Sequence, residues 1–272
     1  MTAETPVTET LRNARGPSLA GARTAVIGYG RSGRAAASLL VKAGAEVRVT
    51  DVQPPGRLGV TEADVPGGIA WLGSTDERVL EGVDLVVASP GVPPANPVLA
   101  HALARELPVH SELELGWWFT DAPTVAVTGT NGKTTTTELL GAMGRAAGHA
   151  TVVAGNVGTP LSAVVEERPE LIVLEVSSFQ LFLCRDFRPH VGVLLNLTPD
   201  HLDWHPDLAH YAAAKANLFA RQGARDAAVL NAADPWVMKL ADGIPSEVWE
   251  FRLGPPVGRG AWVRDERLEL RT

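Results

Sequence analysis

The run Thr128-Gly-Thr-Asn-Gly-Lys-Thr-Thr gathers the residue types that hold a polyphosphate. Gly129 and Gly132 permit a tight turn whose backbone N–H groups point inward at an anion. Thr130 and Asn131 stand between those glycines as candidate cofactor contacts. Lys133 adds a mobile charge for the β- and γ-phosphates, and Thr134 offers a hydroxyl to Mg²⁺, with Thr135 beside it. The strict pattern G-x-x-x-x-G-K-[ST] is not met, because Val127 stands at its first glycine. The expectation is a site for ATP; the alternative is a glycine turn that happens to precede a lysine.

A second glycine cluster, Gly28-Tyr-Gly-Arg-Ser-Gly33, is followed by Asp51 at the end of the next apolar run. The glycine spacing is that of a dinucleotide fold, where the acid bonds the ribose of NAD. Backbone N–H groups at a helix start hold any diphosphate, so a nucleotide diphosphate sugar fits equally well. Glu175 closes the apolar run Leu171-Ile-Val-Leu174, where a strand end near a phosphate loop makes it a natural Mg²⁺ ligand. Asp200-His-Leu-Asp-Trp-His205 packs two acids and two histidines together. On a helix His201 and His205 would suit a zinc pair, but Pro199 and Pro206 bracket the stretch and leave no room for a stable helix. One histidine at a strand end near bound phosphates is the preferred reading. Lys215, in Tyr211-Ala-Ala-Ala-Lys-Ala, has small neighbours that leave space around its stem; the alternative is a surface lysine with a snorkelling stem.

The elements that must position these residues follow from the apolar pattern. Thr24–Gly28, Glu46–Thr50 and Val83–Ala88 read as strands, with a helix over Arg34–Lys42 ended by Gly44 and another over Asn96–Glu106 opened by Pro97. A Trp-rich helix near Ser111–Asp121 marks a domain boundary. Beyond it, Val125–Thr128, Leu171–Glu175, Val191–Leu197 and Ala227–Asn231 read as strands, and 134–147 and Leu208–Ala220 as helices. Short strands joined by a Pro255-Pro256 turn are expected over Glu247–Thr272. Strands alternating with helices make this an α/β protein with largely parallel sheets. The expected domains are a tail over 1–19, a Rossmann-like unit over 20–111 and a phosphate-loop α/β unit over 112–272.

At 272 residues the chain is long enough for two cores. Its net charge of −7 argues against nucleic acid or an anionic membrane as a main partner. A single cysteine, Cys184, excludes an internal disulfide framework and fits a reducing compartment; its apolar neighbours predict a buried structural thiol. No run of apolar residues reaches the ~18 needed to span a bilayer, and Met1–Pro17 has no apolar core of a signal peptide. A cytoplasmic monomer is expected.

Four ordered motifs, Thr128-Gly-Thr-Asn-Gly-Lys-Thr-Thr, Glu175-Val-Ser-Ser-Phe-Gln-Leu, Asn196-Leu-Thr-Pro-Asp-His-Leu-Asp-Trp-His and Tyr211-Ala-Ala-Ala-Lys-Ala, resemble those of the Mur ligases, over about residues 20 to 272. Those enzymes build the peptide stem of bacterial cell-wall precursors. Ser-Ser-Phe-Gln-Leu with the N-terminal glycine cluster resembles the branch that adds D-glutamate to UDP-N-acetylmuramoyl-L-alanine. The resemblance implies ATP and two Mg²⁺ sites, and a substrate carboxylate activated as an acyl phosphate. It implies Lys133 on the γ-phosphate, Thr134 and Glu175 on the first Mg²⁺, and His201 with a carbamylated Lys215 on the second. Arg31, Ser32 and Asp51 map onto UDP-binding positions, Ser89 and Gly91 onto the diphosphate and sugar contacts, and Asn156 and His201 onto the sugar side.

Two departures stand out. Val52 follows the acid at the uracil position, where some relatives carry a hydroxyl. The family's Gly-x-His-Asn-x-x-Asn segment and C-terminal domain are not in this sequence, so this chain alone is expected not to form the amide bond. Competing readings are a sibling amide ligase for another amino acid or for folate, a non-catalytic nucleotide-binding module, and an NAD oxidoreductase. The last leaves the second phosphate loop unexplained.

Overall fold

The computed structural model describes residues 15–255, 258–264 and 266–272. Most of the expected tail, and Pro256 of the expected proline turn, lie outside the described residues. The chain forms two compact units. The first comprises the described residues up to Val109 with Trp118–Thr120, and the second His110–Trp117 with Asp121–Thr272.

In chain order the first unit carries β1 (Arg23–Ile27), α1 (Arg31–Lys42), β2 (Glu46–Asp51), α2 (Pro55–Leu58), β3 (Ile69–Leu72), β4 (Leu85–Ala88), α3 (Pro97–Ala104) and the start of β5 (Val109–Ser111). Its sheet runs β3-β2-β1-β4-β5. Strand pairs β1–β2, β1–β4 and β2–β3 are parallel. Ala25, Val26, Ile27, Val47, Val49, Val86 and Val87 are buried, the continuous apolar character of a sheet covered on both faces. Ile27 pairs with Thr50 on one side and Ala88 on the other, so the carboxyl ends of β1, β2 and β4 lie level. Helix α1 starts at Arg31, three residues earlier than its apolar pattern suggests, which places Gly33 in its first turn. A Cβ on Gly33 would stand 1.8 Å from the Gly28 carbonyl oxygen, so only glycine lets the helix begin this close to the strand exit.

The second unit carries α4 (Glu112–Trp118, its last residue grouped with the first unit), β6 (Thr124–Thr128), α5 (Lys133–Ala146), β7 (Thr151–Gly155), α6 (Leu161–Val164) and β8 (Leu171–Glu175). Then follow α7 (Ser178–Phe182), β9 (Val191–Leu194), α8 (Leu208–Ala216), β10 (Ala227–Asn231), α9 (Pro235–Met238), β11 (Glu247–Leu253), β12 (Gly260–Arg264) and β13 (Arg267–Arg271). The sheet runs β13-β12-β11-β10-β9-β6-β8-β7. All neighbours are parallel except β12–β13. Strand β6 sits between β8 and β9, where the strand order reverses, and a crevice at the carboxyl ends of such strands is the usual ligand site of an open α/β sheet.

Two elements are shorter than their apolar runs. Strand β9 ends at Leu194; beyond it the Asn196 carbonyl and the Thr198 N–H bond Thr130 of the glycine turn, and the Leu197 N–H bonds Asp234. Helix α8 ends at Ala216, with turns over Leu218 to Ala220. The short β3, β5 and α7 carry too few residues to show a period in the sequence; α7 is set by a capping box between Ser177 and Gln180. Among the described residues no helix is long and apolar enough to cross a membrane.

Candidate functional site

The apolar run of β6 is almost wholly buried and delivers the glycine turn at its carboxyl end, directly before the fourteen-residue α5. Gly132 caps α5 at φ 83°, a left-handed conformation that disfavours a side chain. The turn thus lies at a helix N-terminus, with its unpaired N–H groups and positive dipole end. Lys133 folds back over the turn, its Nζ donating to the carbonyls of Gly129 at 3.0 Å and Thr130 at 2.8 Å. The Thr130 hydroxyl donates to the Thr198 carbonyl at 3.2 Å and accepts the Thr198 N–H at 3.1 Å. Asn131, Thr134 and Thr135 are exposed.

Glu175, at the end of β8, is buried at 3% exposure. Its Oε2 accepts the Thr134 hydroxyl at 2.6 Å and its Oε1 accepts the Asn156 side-chain amide at 2.9 Å. A carboxylate and a hydroxyl at a helix start beside a phosphate loop are hard oxygen donors of the kind Mg²⁺ takes, so this pair fits the ion the sequence suggests. The structure also ties Asn156 to this group through Glu175.

Lys215 is a buried residue, at 1% exposure, and not a surface lysine. Its Nζ donates to Thr128 Oγ1 at 3.2 Å and to the Gly129 carbonyl at 3.0 Å, and lies 4.6 Å from the centre of the Tyr211 ring. Two lysine ammonium groups therefore meet on one carbonyl oxygen, that of Gly129. Burial, then the nearby Lys133 charge, lowers the Lys215 pKa from the usual 10.5 to about 7. A lysine in this state spends much of its time as a neutral, nucleophilic amine near neutral pH.

The Asp200–His205 stretch is a turn, not a helix, as its two prolines require. His201 sits at φ 53° and its carbonyl accepts the N–H groups of Trp204 and His205. Its half-exposed ring lies 3.5 Å from Asp200 Oδ2 and packs edge-on against Phe179, with ring centres 4.9 Å apart. His205 is fully buried: Nε2 is 2.9 Å from Ser178 Oγ and Nδ1 is 2.8 Å from Nδ1 of His210. Burial, then His210, lowers its pKa to about 4, so the ring is neutral. Among the described residues no three His, Cys, Asp or Glu side chains gather closely enough to hold a metal ion. Any ion here needs the Thr134 hydroxyl, a modified Lys215 or ligand oxygens to complete its shell.

In the first unit Gly28 directly follows β1 and Gly30 caps α1, so Arg31 and Ser32 open that helix. Asp51 accepts the Tyr29 N–H at 2.6 Å through Oδ2 and the Gln53 N–H at 2.7 Å through Oδ1. Its carboxylate is thereby fixed at the strand exit, each oxygen keeping one lone pair. The Ser89 hydroxyl donates to the Gly28 carbonyl at 2.8 Å, and Gly91 follows in an exposed turn. Val52 is 52% exposed.

The structure adds residues to which the sequence reading gave no role. Thr128 passes its hydroxyl hydrogen to the Val176 carbonyl while accepting Lys215. Tyr211 lies beneath Lys215 and within 3.3 Å of Thr130 Oγ1. Asn196 bonds the loop apex, and Tyr29 links the glycine turn to Asp51. All four stood inside motifs that the sequence showed, but nothing in the residue types alone assigned them these partners.

The Mur ligase middle domain matches residues 127–265, and the N-terminal domain of the Mur ligase MurD-like type matches 22–111. A relative from Pelotomaculum thermopropionicum named UDP-N-acetylmuramoylalanine–D-glutamate ligase is 48% identical over 248 residues, covering 88% of this chain and 53% of the relative. A relative of the same name from Anaeromyxobacter dehalogenans is 47% identical over 254 residues, covering 92% of this chain and 54% of the relative. The chain thus spans about half the length of these curated relatives. Among solved structures, the UDP-N-acetylmuramate:L-alanyl-gamma-D-glutamyl-meso-diaminopimelate ligase from Neisseria meningitides superposes with a TM-score of 0.57 at 22% identity, covering 89% of this chain and 81% of that one. A murein peptide ligase from Psychrobacter arcticus gives 0.53 at 19% identity, covering 89% and 56%. At such identities these structures show a common fold.

Proposed function

This chain belongs to the Mur ligase family, and from that premise we propose that it carries the UDP-sugar-binding and ATP-binding parts of a ligase that adds D-glutamate to UDP-N-acetylmuramoyl-L-alanine in cell-wall precursor synthesis. The names of the curated relatives and the MurD-like N-terminal match support that branch. The carrying observation is the glycine turn at the end of β6 with Thr134 bonded to Glu175 beneath it.

On this reading the turn's N–H groups and the start of α5 receive the ATP phosphates. Lys133 leaves the Gly129 and Thr130 carbonyls for the γ-phosphate, where its charge is strongest in effect as negative charge develops during transfer. The substrate's terminal carboxylate oxygen attacks the γ-phosphorus and ADP leaves. The neutral amine of D-glutamate then adds to the acyl phosphate carbon, and phosphate departs from the tetrahedral intermediate. Mg²⁺, when bound, neutralises phosphate charge. Thr134 and Glu175 would hold one ion, and His201 with a carbamylated Lys215 a second. Carbamylation joins the neutral Lys215 amine to CO₂ with loss of one proton, giving an oxygen ligand in place of a cation.

On this reading Asp51, Arg31, Ser32, Ser89 and Gly91 of the first unit line the UDP-sugar site. We assign the protein to the cytoplasm, acting as a monomer. Calorimetry of this chain with UDP-N-acetylmuramoyl-L-alanine and with NAD tests the first site; the UDP-sugar is expected to bind and NAD not. Tighter binding of NAD overturns the assignment.

A further inference from the structure

The geometry points to Asn196 as the positioning residue that sets the shape of the phosphate loop, with Asp234 and Asn231 anchoring it from behind. Asn196 makes a reciprocal pair with the backbone of Asn131 at the loop apex. Its Oδ1 accepts the Asn131 N–H at 2.8 Å and its Nδ2 donates to the Asn131 carbonyl at 3.0 Å. One side chain thus reproduces the two-bond pairing that a neighbouring strand would give. Two further bonds run alongside: Thr130 N–H to the Asn196 carbonyl at 3.0 Å and Leu195 N–H to the Thr128 carbonyl at 3.0 Å.

A clamp positions only if it is itself fixed. Residues 195–197 are held from the far side by β10 and the turn after it. The Asn231 amide donates to the Leu195 carbonyl at 2.9 Å, and Asp234 Oδ2 accepts the Leu197 N–H at 2.7 Å. Asp234 is fixed in turn by capping α9, its Oδ1 accepting the Trp236 and Val237 N–H groups. The loop is otherwise exposed at Asn131 and Gly132, and Gly129 and Gly132 give its backbone wide freedom. A glycine turn becomes a ready anion cradle only when its N–H groups already point inward, and Asn196 supplies that constraint at the apex. The pairing also orients the Asn131 peptide: its N–H is committed to Asn196, leaving the N–H groups at Gly132 to Thr134 for phosphate.

This inference rests on the reading of the turn as an ATP site, and the test separates the two. Amide hydrogen exchange of the nucleotide-free chain and binding of MgADP are compared for wild type and Asn196→Ala. Loss of two backbone-directed bonds is expected to speed exchange at Asn131 and to weaken MgADP by about tenfold. Exchange at Val193, inside the β9 ladder, is expected to stay unchanged, which general loosening of the unit would not allow. Asn196→Asp keeps the acceptor for Asn131 and loses the donor, and carries the same test, with a smaller loss, should Asn196→Ala fail to fold. Faster Asn131 exchange with unaltered MgADP affinity overturns the positioning role, as does equal acceleration at Val193. A wild-type chain that binds no MgADP overturns the nucleotide reading beneath it.

Discussion

Lys215→Met should stabilise this protein near neutral pH, and the size of the effect should depend on pH in a defined way. The wild-type amine is buried, with a pKa lowered from 10.5 to about 7. Between those values the unfolded chain holds a proton that the folded chain has lost, so wild-type stability rises with pH across the window. Below pH 7 the full penalty applies, about 5 kcal/mol; above about pH 10.5 it is gone. Methionine has a similar length and no charge, but it deletes the bonds from Nζ to Thr128 and Gly129, which offsets roughly 1–3 kcal/mol. The variant should therefore be more stable by about 2–4 kcal/mol at and below neutral pH. Its advantage should shrink by about 1.4 kcal/mol per pH unit above that and reverse near the top of the window. Urea unfolding of both proteins in CO₂-free buffer at a series of pH values reads this difference directly, and other titrating groups cancel in it. A difference that stays flat from about pH 7 to about pH 10 would refute the argument, because it would mean that Lys215 titrates alike in both states. Added bicarbonate should then stabilise the wild type and not the variant, since only an amine forms a carbamate.

Lys133→Ala removes the ammonium that bonds the Gly129 and Thr130 carbonyls and should weaken a non-hydrolysable MgATP analogue by at least about tenfold while sparing UDP-sugar binding; loss of both would show misfolding instead. His205 has a pKa lowered from 6.5 to about 4, so the unfolded chain takes up its proton first as pH falls, and stability drops through that window. Relative to His205→Gln, the wild type should lose about 3 kcal/mol between those limits, measured by urea titration; parallel curves would contradict a buried neutral ring. Gly33→Ala sets a methyl against the Gly28 carbonyl and should cost roughly 1–3 kcal/mol in the first unit, with UDP-sugar affinity reduced in calorimetry; an unchanged unfolding midpoint would argue against the tight strand exit.

What the sequence determined by itself is local. An apolar run, a glycine turn, Lys133 and a helix-forming stretch lie within twenty consecutive residues, so their order alone specifies strand, phosphate loop and helix. The same holds for Gly28–Gly33 and for the prolines that keep His201 and His205 off a helix. Tertiary structure decided which of these pieces meet. Lys215 lies 87 residues from Thr128 and its three alanines suit either a surface or a core; only the tertiary fold brings its amine to Thr128 and Gly129 and buries it. Thr134 and Glu175 are 41 residues apart, and Asn131 and Asn196 are 65 apart. Their pairing depends on β6 lying between β8 and β9. Periodicity reports which face of an element is apolar, but it carries no information on which strand is its neighbour. That order is set by how the whole sheet buries its apolar faces against the helices. For the same reason β9 stops at Leu194 although the sequence predicts a strand to Leu197: the Asn196 carbonyl is taken by Thr130 of the glycine turn and the Leu197 N–H by the Asp234 carboxylate.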